Sequence, residues 1–120
     1  MKIAPSVLSA DFANLGREVE KVSLAGADYI HLDVMDGIFV PNISFGAGVI
    51  KSIRPYTSVP FDVHLMIEKP RRYINDFLNA GADIITIHKE AEPELDKTIR
   101  EIKLGGARCG ISIKPATDVN

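Results

Sequence analysis

The sequence holds a single cysteine, Cys109. An internal disulfide is therefore excluded, and the composition fits a reducing compartment, so a cytoplasmic protein is expected. Long apolar runs are lacking too: none approaches the roughly 20 residues that a membrane-spanning helix requires. The opening residues, MKIAPSVLSAD, have neither a long apolar stretch nor a cleavage site, and no signal peptide is expected. Nor is there a surplus of positive charge. The formal net charge is -2, which gives nucleic acid no electrostatic hold. What remains is the balance of a soluble globular protein. The 120 residues are 46% hydrophobic and 25% charged, enough for one modest domain with a real core.

The chain repeats itself. LAGADYIHLDV (24–34) resembles LNAGADIITIHK (78–89), and LGGARCGISIK (104–114) is a weaker third copy. Gly26, Gly81 and Gly106 are the shared glycines. An amphipathic segment precedes each glycine and a β-rich run follows it. That is a helix closed by glycine and followed at once by a strand.

Asp11 reads as an N-cap, with Phe12, Leu15, Val19 and Val22 forming one helical face. Pro70 suits a first helical turn, with Tyr73, Ile74, Phe77 and Leu78 as its apolar face. Leu95, Ile99, Ile102 and Leu104 outline another helix. Val49, Ile50 and Ile53 indicate a short one ending at Pro55. Strands are predicted over 2–8, 29–35, 61–66, 84–88 and 108–113. Strands alternating with helices imply parallel pairing through right-handed crossovers. A doubly wound sheet and a (β/α) barrel both satisfy that order. No G-x-G-x-x-G follows the first predicted strand, which weakens the dinucleotide-binding sheet. Polar residues gather at strand ends, which favours a parallel (β/α) TIM barrel.

A full barrel needs eight strands and about 250 residues. This chain supplies about the first four to five β/α units. Residues 1–120 are accordingly expected to be the N-terminal part of a single (β/α)8-barrel domain. A half-barrel leaves two unpaired strand edges. The chain is therefore expected to be a fragment, or to pair with something.

Alternation places the polar groups. His31, Asp33 and Met35 share one face of their strand, Asp62, His64 and Met66 one face of the next, and Thr86 and His88 one face of a third. Ser9 lies near the C-terminal end of the first predicted strand. His-x-Asp beside His-x-Met is a metal pattern that suits zinc, iron, manganese or cobalt better than calcium. Each histidine alone reads better as a satisfied barrel-interior residue; all three at strand ends on the inner face read together as a functional set. Asp33, beside a metal, can take a proton from carbon, or it can serve only as a ligand. Asp36 reads as an Asp-Gly turn former. Met35 and Met66 are either core filler or apolar walls around a reacting carbon. Ser9 either bonds substrate or caps the next helix. The loop VPNISFGAG (40–48) either covers the site or is an ordinary connection. Lys69, Arg71 and Arg72 read as a solvated helix start.

APSVLSADFANL, HLDVMDGIFVPNISFG, FDVHLMIEKP and ITIHKEA together resemble the ribulose-phosphate 3-epimerase family, in order along essentially all 120 residues. The resemblance implies a (β/α)8 barrel that interconverts D-ribulose 5-phosphate and D-xylulose 5-phosphate through an enediolate, with one divalent transition metal. By resemblance, Ser9 binds substrate, and His31, Asp33 and His64 are metal ligands, His64 also lying against substrate. Asp33 is one of two acid/base aspartates, and Met35 and Met66 flank the reacting carbons. His88 matches a family histidine without an assigned role. The second aspartate, which is also the fourth ligand, and the phosphate grip belong to the family's later strands. This chain alone is thus expected to be weakly active or inactive. A homo-oligomer is also implied. Two competing readings are a sugar-phosphate decarboxylase of the phosphate-binding barrel class and a self-associating, non-catalytic half-barrel. The decarboxylase would place a lysine among the strand carboxylates, and HLDVMDG and DVHLM have none.

Overall fold

The computed structural model describes residues 1–120. Its strands are β1 (Ile30–Met35), β2 (Phe61–Met66), β3 (Ile84–His88) and β4 (Arg108–Ser112). Its α-helices are α1 (Leu15–Leu24), α2 (Ala47–Ile53), α3 (Ile74–Asn79) and α4 (Leu95–Leu104). All strand pairs are parallel, and the order in the sheet is the order in the chain. Right-handed crossovers between successive neighbours put every helix on one face of the sheet. A doubly wound sheet would reverse direction and cover both faces. This α/β layout is that of the N-terminal part of a TIM barrel. No helix is long and apolar enough to cross a membrane.

The two sides of each strand have different fates. Ile30, Leu32 and Val34 of β1 and Phe61, Val63 and Leu65 of β2 are buried against the helices. They form one cluster with Leu15 and Val19 of α1, Ile50 and Ile53 of α2, Ile74 and Phe77 of α3, and Ile102 of α4. Each fully buried aliphatic side chain there contributes about 1.5–3 kcal/mol. The opposite face carries His31, Asp33, Asp62 and His64, all half-buried.

Three helix ends are built alike. Gly26, Gly81 and Gly106 have φ of +102°, +102° and +91°, a region that glycine enters without penalty. At each end the next N–H reaches back to close the last turn: Ala27 to Val22 O, Ala82 to Phe77 O, and Ala107 to Ile102 O. The predicted glycine stops are therefore correct. The aspartates that follow are also alike. Asp28 donates its N–H to Ile3 O and accepts Ile3 N–H on its carboxylate, and Asp83 does the same with Phe61.

The strand predicted over 2–8 is not a regular strand. Ile3 O and Pro5 O accept from residues of or just before β1, and Ser6 makes one isolated parallel bridge to His31. Pro5 has no N–H to continue a ladder. The Ser6 hydroxyl then accepts Leu8 N–H, and the chain turns into a 3-10 helix over Val7–Ser9. The segment runs beside β1 without pairing fully. The helix over 11–22 begins as a 3-10 turn, Phe12–Asn14, capped by Asp11. Phe12 stays exposed and packs on Phe45 rather than in the core. Pro55 does not end the chain's helical path. It sits within a 3-10 turn, Arg54–Tyr56, that follows α2.

Candidate metal centre

Strand register brings the site together. His31 stands opposite Asp62, Asp33 opposite His64, and Met35 opposite Met66. His and Asp alternate in opposite order on β1 and β2, so each histidine meets a carboxylate across the pair. One donor atom each from His31, Asp33 and His64 lies within 4.8 Å of the others. Met35 and Met66 stand one pleat further toward the C-terminal ends of the strands.

Asp33 divides its two oxygens. Oδ1 lies 2.9 Å from His31 Nε2 and 3.5 Å from His64 Nδ1. Oδ2 accepts the Ser6 hydroxyl at 2.9 Å. His31 is flanked by carboxylates, with Nδ1 2.9 Å from Asp62 Oδ2. The Asp62 hydrogen bond outweighs burial, and Asp33 adds to it, so the His31 pKa is raised. His64 goes the other way: burial and the neighbouring His88 lower its pKa. Both effects disfavour a charged His64, while Asp33, 3.5 Å from its Nδ1, works against them. Two imidazoles and a carboxylate converging from two strands fit a divalent transition metal.

His88 completes the row on β3. Its Nε2 is 2.7 Å from His64 Nε2, with ring centroids 4.9 Å apart. Its Nδ1 is buried without a partner. Phe39, from the loop after β1, packs on the His88 ring at 5.0 Å, and Lys114 lies over the Phe39 ring at 4.0 Å. That loop folds back on β1: the Ser44 hydroxyl donates to Asp33 O and accepts Met35 N–H. It reaches the site through Phe39, while Ile38 and Ile43 face outward.

The sequence-derived set is only partly gathered. His31, Asp33 and His64 converge. Ser9 is exposed at the end of its 3-10 turn, and it is Ser6 that reaches Asp33. Asp62 and Ser6 were not among the expected site residues. Strand parity puts Asp62 on the right face, but its partner depends on the register between strands. Arg71 is already engaged, with its guanidinium on Glu94 and Glu101. A cleft of about 790 Å³ between α2 and α3, lined by Lys51, Arg72 and Asp76 among others, contains none of the three converging residues.

The family model described as "Ribulose-phosphate 3 epimerase family" matches residues 2–120. The chain is 55% identical over 119 residues to ribulose-phosphate 3-epimerase of Bacillus subtilis, covering 99% of this chain and 55% of that protein. It is 50% identical over 120 residues to the Synechocystis protein of the same name, covering 98% of this chain and 52% of the other. Against the Escherichia coli K12 protein, also so named, the values are 49% over 119 residues, 98% and 53%. The chain therefore spans about half the length of the curated relatives it matches.

Proposed function

Because the chain belongs to the ribulose-phosphate 3-epimerase family, we propose that the protein interconverts D-ribulose 5-phosphate and D-xylulose 5-phosphate by moving the proton on C3. The observation that carries this reading is the convergence of His31, Asp33 and His64 from two adjacent strands.

C3 lies next to the ketone, so losing its proton gives an enediolate rather than an isolated carbanion. Asp33 takes that proton on one face of the carbon. Oδ1 points at the imidazoles, which leaves Oδ2, steadied by the Ser6 hydroxyl, as the oxygen that receives the proton. Inversion requires a second proton carrier on the opposite face. His31, Asp33 and His64 would hold a divalent transition metal, which when bound would supply Lewis-acid stabilisation of negative charge. Met35 and Met66 wall the reacting carbons with apolar surface that excludes water. His64 lies against the substrate.

The test is a coupled assay of the full-length protein with D-ribulose 5-phosphate. Asp33→Asn should lower turnover by about 10²–10⁴-fold, the usual worth of a positioned acid/base group. Chelation should abolish activity and added metal restore it. A metal-loaded protein that leaves the substrate unchanged would sink the proposal.

A further inference from the structure

An imidazole that binds a cation offers the lone pair of one nitrogen, so its other nitrogen must keep the proton. The groups around each ring decide which nitrogen is which. His31 Nδ1 faces Asp62 Oδ2 at 2.9 Å. Nε2 faces a second carboxylate, Asp33 Oδ1, at 2.9 Å. Because Asp33 converges on the same point as His31 and His64, a cation bound there displaces the proton of Nε2, while Asp62, which can only accept, keeps the proton on Nδ1. Asp62 is not one of the three converging residues. It stands behind His31, opposite it in the register.

His64 is turned the other way. Nδ1 points at Asp33 Oδ1, and Nε2 lies 2.7 Å from His88 Nε2. Two ring nitrogens at that distance share one proton. When Nδ1 binds a cation, that proton belongs to His64 Nε2, and His88 Nε2 accepts it. The proton of His88 itself then sits on Nδ1, the buried atom that has no partner. His88 is only 9% exposed, and its ring lies between His64 and Phe39, so it cannot swing away from His64 without breaking that packing.

We propose that Asp62 and His88 are positioning residues that present the two imidazoles to the metal through opposite nitrogens, Nε2 of His31 and Nδ1 of His64. The inference rests on the metal reading above and adds two residues that touch neither metal nor substrate. Without Asp62 the His31 ring is free to rotate and to change tautomer. Without His88 the same holds for His64.

The experiment is a Zn(II) titration against a competing chelator, made on the full-length protein. The variants are Asp62→Ala, Asp62→Asn, His88→Leu and His88→Gln. Imidazole ¹⁵N spectra of the Zn(II)-loaded parent accompany it. Asp62→Ala and His88→Leu should each lose about 10- to 100-fold in zinc affinity. Asp62→Asn and His88→Gln keep an acceptor oxygen and should recover most of it. The spectra should show zinc on His31 Nε2 and His64 Nδ1, with protons on the two other nitrogens. Zinc on His64 Nε2 would overturn the inference, even if His88→Leu fails to fold. So would unchanged affinity in Asp62→Ala and His88→Leu, and the metal reading would then survive. A parent that takes up no zinc would bring down both.

Discussion

Asp36 gathers three backbone N–H groups on one carboxylate. Oδ1 accepts from Ile38 and Phe39 at 2.9 Å each, and Oδ2 accepts from Glu68 at 2.8 Å. It thereby ties the loop after β1 to the loop after β2. Burial pushes its pKa up, but the three donors outweigh that, and the net shift is downward. Asp36→Ala should cost about 2–3 kcal/mol in chemical denaturation. A depressed folded-state pKa gives stability that is present above the unfolded value and lost as pH falls through the folded one. The stability gap between wild type and Asp36→Asn should therefore be constant near neutrality and close below about pH 4. A gap that persists in acid would show that the charge is irrelevant. In the sequence this residue reads only as half of an Asp-Gly turn. Gly37, with φ +74°, bears that reading out, but the bond to Glu68 crosses 32 residues and leaves no local mark. His31, Asp33 and His64 were legible for a simple reason: alternation along a strand is a property of the chain itself. Asp62 and Ser6 were not, because their roles depend on which strand residues stand level.

Elements meet through Arg54, which follows α2. Its guanidinium donates to Gly81 O, Asp83 Oδ2, Thr57 O and Val59 O, and lies 3.6 Å above the Phe61 ring. One side chain thus fastens the end of α2 to the starts of β2 and β3. Arg54→Ala should cost about 3 kcal/mol, through lost hydrogen bonds to a charged group and the lost ring contact. Arg54→Lys should recover little, because an ammonium cannot span four acceptors in a plane. Equal stability of wild type and Arg54→Ala in a urea melt would refute this role. Helices and buried strands were readable because their periods are short and their glycine stops local. The segment over 2–8 was misread because its β-branched and apolar residues resemble a strand, while Pro5 and the Ser6 turn limit its pairing to a single bridge.

At the scale of the molecule, the covered face of the sheet supplies cohesion and the other face carries His31, Asp33, Asp62 and His64. The cluster of His31, Asp33 and His64, which could hold a metal ion, joins β1 to β2 on the face opposite the helices. A ligand that binds only the folded state stabilises it in proportion to its saturation. Metal at about a hundred times its dissociation constant should raise the melting temperature of the full-length protein by about 5–10 °C over the chelated form. A melting temperature indifferent to chelator would mean that no metal is held there. The paired turns at residues 25–28 and 80–83 carry a different consequence. Each uses the same left-handed glycine, the same closing bond and the same aspartate clasp, on Ile3 of the N-terminal segment in one case and on Phe61 of β2 in the other. They differ in what lies outside them: Arg54 packs on Gly81 and bonds its carbonyl and Asp83, while Gly26 faces open space, so the joint itself is the repeated part and the arginine is a fastening added to one copy.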